Sequence, residues 1–153
     1  MGICLPIILV LGLQVGLIHK LRFDVRATKI HIREIAPEIV SRLPKGASLM
    51  VVDPESDGAY GTQMRHHMYM AGRKFAGNIS TYSSRTKKHI DLVINMAKPH
   101  LIWVHSITPS VLQALSPDLK KGASYLMERD GSGWKIVKSW PFKGYSSPNE
   151  IKD

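Results

Sequence analysis

Three acids, Asp53, Glu55 and Asp57, follow directly on the apolar run "LMVV", in the loop "DPESDGAYG". Carboxylates set close together in a loop offer hard oxygen ligands, which suit a hydrated cation or the hydroxyls of a sugar. The same residues have a plainer use. Asp-Pro and Asp-Gly form turns, and acids favour the N-terminus of a following helix. Because turn chemistry needs no ligand to explain it, the structural use is the expected one. His105, at the end of "LIWVHS", completes a candidate ligand-binding set of Asp53, Glu55, Asp57 and His105. No residue is assigned a catalytic role.

Other arrangements of reactive side chains fail on spacing. His66 and His67 are adjacent, so on a helix their side chains diverge by about 100° and do not share a metal, which would want a separation of three or four. His100 and His105 bracket a strand at an odd separation and point to opposite faces. No metal site and no cofactor are expected. Ser106 and Ser110 near His105 invite a serine-nucleophile reading with Asp53, but no "GxSxG" turn is present and helix capping accounts for the cluster. Phosphate-cradling "GxxxxGK[ST]" and "GxGxxG" motifs are absent as well. Trp103, Trp134 and Trp140 are expected to pack in the core or on the sheet rather than stack on sugar rings.

The elements that hold these residues follow from periodicity. Ile32, Ile35, Ile39, Val40 and Leu43 recur at helical spacing up to the stop "LPKG", with Pro37 a possible kink. "SLMVV" reads as a buried strand, "TQMRHHMYMAG" as a helix closed by Gly72, and "NISTYSS" as a short extended run. "SRTKKHIDLVINMAKPH" is a helix whose apolar stripe is Ile90, Leu92, Val93 and Met96. "LIWV" is a second apolar strand, and "TPSVLQAL" a short helix with Thr108 as N-cap and Pro109 at its first position. Two β-rich runs around "DGSG" form a closing hairpin. This order predicts a small three-layer α/β domain with parallel core strands and a C-terminal β-hairpin.

The first 23 residues are different in kind. "ICLPIILVLGLQVGLI", Ile3 to Ile18, carries no charge, and Leu21 and Phe23 extend it toward the roughly 17–25 residues of a membrane helix. It lacks the basic start and small-residue cleavage site of a signal peptide, and the polar face of a surface helix. The expected organisation is a transmembrane helix over 1–23, an exit helix over 24–46, the α/β domain over 47–143 and a polar tail over 144–153. Cys4, the sole cysteine, lies in the apolar segment, so the domain has no disulfide and no thiolate chemistry. An excess of 21 Lys and Arg over 12 Asp and Glu gives a net charge of +9. Without an aromatic-interleaved basic stripe or a recognisable module, that charge points to membrane lipid and not to nucleic acid.

The exit helix "REIAPEIVSRLPKGASLMVVDP", the strand "LIWVHS" and the closing "GASYLMERDGSGWKIVKSWPF" together resemble the extramembrane C-terminal domain of integral-membrane glycosyltransferases of the multi-pass GT-C type. The resemblance covers essentially the whole chain. It implies a polyprenyl-phosphate sugar, or its acceptor, as a partner reached through a parent enzyme, and an extracytoplasmic domain. In that family the catalytic acids lie on an early loop between the first membrane helices, a region this chain lacks, so no catalytic residue carries over. The chain is then expected to be a non-catalytic terminal domain or fragment that supports acceptor binding or stability. One feature runs against that topology: Lys20, Arg22, Arg26, Lys29 and Arg33 follow the apolar helix, a pattern that favours a cytoplasmic C-terminal side. The second expectation is a single-span binding protein whose basic surface meets anionic lipid or an acidic partner.

Overall fold

The computed structural model describes residues 32–54, 58–80, 87–131 and 133–142. Among the described residues are four helices and five strands: α1 (Ile32–Arg42), β1 (Ser48–Val52), α2 (Ala59–Met70), β2 (Lys74–Ile79), α3 (Lys87–Ala97), β3 (Leu101–Val104), α4 (Pro109–Leu115), β4 (Ala123–Asp130) and β5 (Gly133–Pro141). The strands form one sheet in the order β2-β1-β3-β4-β5. β1 pairs in parallel with both β2 and β3, whereas β3–β4 and β4–β5 are antiparallel. The expected parallel core and closing hairpin are both present.

Alternation along each strand divides the core in two. Leu49, Val51, Leu101, Trp103 and Leu126 face α1 and α2, where Ile35, Ile39, Met64 and Met68 meet them. Met50, Val52, Ile102, Val104 and Met127 face α3 and α4, against Ile90, Ile94, Val111 and Leu112. A sheet buried on both faces requires continuously apolar strands, which is why "LMVV" and "LIWV" have no polar member. α1 runs through Pro37 as one helix, the proline lying on its exposed face.

Two sequence expectations are corrected. The strand after α2 starts earlier than expected: it is "KFAGNI", with a register shift opposite Leu49 and Met50, and shares Asn78 and Ile79 with the expected "NISTYSS", whose residues 81–84 lie outside the described residues. On α3 the buried residues are Ile90 and Ile94, and Leu92 and Met96 are 55% and 77% exposed. Ile90, Val93, Ile94 and Ala97 share the inner face at helical spacing, and Leu92 and Met96 fall on the other side. The expected transmembrane helix over 1–23, Glu55 and Asp57, and the tail over 144–153 lie outside the described residues. Among the described residues, no helix is long and apolar enough to cross a membrane.

Helix ends differ in one respect. α2 closes on Gly72, φ +62°, with Arg73 N–H donating to the Met68 carbonyl and Gly72 N–H to that of Tyr69, a Schellman motif. α3 closes on Lys98, φ +44°, whose N–H donates to the Ile94 carbonyl, the αL motif. Lys98 is the only non-glycine residue with positive φ among those described.

Candidate functional site

In open α/β sheets the place to look is where consecutive crossovers leave to opposite faces, beyond the carboxyl ends of the strands. β1 reaches β2 through α2 on one face, and β2 reaches β3 through α3 on the other. The switch point therefore lies between β1 and β3. Asp53 and His105 are the next residues after those two strands and continue the ladder by one step: Asp53 N–H donates to the Ile79 carbonyl (2.9 Å) and His105 N–H to that of Val52 (2.8 Å). Both side chains point to the face of α1 and α2, and both residues are fully buried.

Asp53 is committed to α2. Its Oδ2 accepts from the backbone N–H of Tyr60 (2.9 Å) and of Gly61 (3.3 Å), donors that a helix start leaves without an internal partner. The N-cap residue, Gly58, has no side chain to do this, so the acid at the end of the neighbouring strand does it instead. Gly61 is required by a close approach from β2. A Cβ built on it would stand 2.4 Å from Cγ of Asn78, which projects onto the same sheet face as Val51.

His105 sits in an aromatic cage. Its ring centroid is 4.3 Å from Tyr60, 5.0 Å from Phe142 and 5.7 Å from Trp103. Neither ring nitrogen bonds any described residue, and burial pulls its pKa from 6.5 to about 4, so the imidazole is neutral. The antiparallel register that pairs Val104 with Tyr125 places Ser124 opposite His105. Ser124 is fully buried too, and its Oγ bonds no described residue.

Asp53, His105 and Ser124 thus form a row across β1, β3 and β4. A nucleophilic triad needs the serine hydroxyl bonded to one imidazole nitrogen, the carboxylate bonded to the other, and an opening to substrate. Here His105 makes neither bond and no member of the row touches solvent. The arrangement is a closed polar row inside the core. Ser106 and Ser110 are elsewhere: Ser106 Oγ accepts from Thr108 N–H (3.1 Å) in the turn before α4, and Ser110 is exposed on that helix.

Of the expected ligand set, the structure brings Asp53 and His105 side by side. Among the described residues no group of three or more His, Cys, Asp or Glu could hold a metal. Trp103 is fully buried, Trp134 lies under Arg129 at 5.7 Å, and Trp140 donates its indole N–H to Glu38 (3.2 Å). Tyr60, Asn78 and Ser124 were not expected at the switch point. The spacing of two glycines in "GAYG" was a legible hint of a close approach, whereas Ser124 joins the row only through a long-range register. No protein-family model, curated protein or solved structure matches the chain.

Proposed function

We propose that this chain is a non-catalytic, membrane-anchored α/β domain serving a polyprenyl-phosphate-sugar-dependent glycosyltransferase, as its terminal domain or a detached partner. The observation that carries the non-catalytic part is the use made of Asp53. The best-placed acid at the switch point is buried, and its Oδ2 accepts from the N-terminus of α2. The anchor and the glycosyltransferase connection rest on the apolar segment of 1–23 and on the sequence resemblance. The test is a transfer assay on the purified full chain with polyprenyl-phosphate mannose and a peptide acceptor. Product at the level of a protein-free control is expected. Product above that level, lost in Asp53→Asn at unchanged melting temperature, overturns the reading. The glycosyltransferase part fails separately if in-frame DNA upstream of Met1 encodes no hydrophobic spans.

A second reading, a single-span protein whose basic surface meets anionic lipid, is favoured by the end of α2. Tyr69 and Met70 are 80% and 71% exposed there, near the basic Arg65 and Lys74. A fragment starting at Thr28, first checked for a cooperative melt, should then bind anionic vesicles at low salt. Absence of binding counts against it.

A further inference from the structure

At the edge of the sheet opposite the polar row, where the parallel strands begin, a cleft of about 450 Å³ opens between α1, the end of α3 and the β4–β5 hairpin. Its charged lining is Arg42, Lys98 and Arg129 against a single acid, Glu128, with His100 beside them and Leu101 and Val137 as apolar wall. Neither Lys98 nor Arg129 forms an ion pair with any described residue, although Glu128 is the chain neighbour of Arg129. Arg42 shares one guanidinium nitrogen with Glu38 (3.1 Å), which leaves it further N–H donors. His100 is oriented by the backbone: its Nδ1 accepts from Ser48 N–H at 3.2 Å, so in the neutral ring the proton sits on Nε2, a further donor.

Lys98 is the residue that separates a binding site from a merely basic surface. A cation near a helix C-terminus complements the dipole, which accounts for Arg42 in the last turn of α1. The same dipole favours a cation at Lys98, next after α3, but not the backbone it adopts there, because the left-handed position that ends a helix suits glycine, and α2 uses Gly72 in the equivalent place. Nor does it account for Arg129, which lies on a strand. A side chain kept in disfavoured backbone geometry at the mouth of a cleft is an observation from which function can be argued. Arg42, Lys98 and Arg129 line one small volume, with Glu38 on Arg42 and the Trp134 ring beneath the Arg129 guanidinium, and a multiply charged anion there would offset their mutual repulsion. Arg and Lys together match a phosphate, the Arg fork by paired hydrogen bonds and the Lys as a point charge. The cleft has the size of a small-molecule site. The lone Glu128 suits a hydroxyl on the same ligand, since a carboxylate only accepts.

We infer that this cleft binds a phosphate monoester on a hydroxyl-bearing body, held by Arg42, Lys98 and Arg129 with the hydroxyl at Glu128. The inference rests on the cleft and stands or falls independently of membrane attachment and of any glycosyltransferase. Such a phosphate can be free or carried on a lipid, and the experiment separates the two sources.

Purified full chain is titrated with glucose 6-phosphate, and in parallel with glucose, by calorimetry at low ionic strength. Saturable binding of the ester that weakens with salt, and none of glucose, is expected. Lys98→Gly removes the cation and supplies the residue this backbone favours. It should melt at or above the parent temperature while binding the ester at least about tenfold more weakly, a pairing that a structural lysine would not produce. Arg129→Gln should weaken binding in the same direction, without depending on the helix end. In the second arm the chain is sedimented with phosphatidylcholine vesicles with and without phosphatidic acid. Binding confined to the phosphatidic acid vesicles and lost in Lys98→Gly supports the site and identifies its phosphate as lipid-borne. The inference is overturned if neither the ester nor these vesicles bind, or if the parent, Lys98→Gly and Arg129→Gln bind alike.

Discussion

Asp53 shows how a residue type that invites chemistry can be used up by architecture. Its carboxylate holds the first turn of α2, so Asp53→Ala leaves two N–H groups near the core without their acceptor. The expected loss is about 2–4 kcal/mol, and about half of that for Asp53→Asn, which keeps one acceptor oxygen. Urea unfolding reads this as a lower midpoint at constant slope; an alanine variant as stable as the parent removes the capping role. His105 sets an acid limit. The unfolded chain takes up a proton near pH 6.5, and the folded chain only near 4. Stability is therefore complete above about pH 6.5 and falls as the pH drops through that window, by about 3 kcal/mol in all. His105→Phe keeps the ring contacts with Tyr60 and Phe142 and has no proton to take up, so its stability should vary less with pH. Equal slopes in the two proteins would show that other groups set the limit. Sequence reading found Asp53 and His105 because each ends an apolar run. It missed Ser124 because nothing local connects "ASY" to "WVH"; only the β3–β4 register does.

Among the elements, α3 carries the clearest correction. Counting its apolar residues selects Ile90, Leu92, Val93 and Met96, but a helix can turn only one face to a sheet, and the residues it buries are Ile90 and Ile94. Ile94→Ala should cost about 2–4 kcal/mol and Leu92→Gln under about 0.5 kcal/mol in chemical unfolding. Comparable losses would restore the sequence-based face. The start of β2 was expected too late, for a different reason. "KFAG", the part that was not expected, contains a glycine, a poor strand former, and pairs through a bulge, so local propensity gives its start no signal. Where propensity and burial agree, as in "SLMVV" and "LIWV", the elements were legible to within a residue. α1 is joined to β5 by Glu38, which meets Arg42 on its own helix and Trp140 and Lys138 on the strand. Its partial burial raises the pKa, but hydrogen bonds from Arg42 and Trp140 and the Lys138 charge outweigh this and lower it. The carboxylate therefore stays ionised below the usual range, and this tie between layers persists in mild acid.

At the scale of the molecule, the mixed sheet sorts its polar residues into two places. The carboxyl edge holds a sealed row in which Asp53 caps α2, and the amino edge holds an open cleft lined by three cations, of which Arg42 is paired with Glu38. Composition announced the net charge of +9, but only the topology shows which cations converge, since Arg42, Lys98 and Arg129 come from three separate elements. The path of α1 has a consequence for where those charges work. Its last residues border the cleft, so its first residue, Ile32, lies a helix length away, and Phe142, which follows β5, packs against His105 at that far edge. Both ends of the described fold thus lie on the side away from the cleft. Eleven residues of helix span about 16 Å. At physiological salt that is about two screening lengths. The charge of a surface to which the domain is tethered through either end is then largely screened from a ligand in the cleft.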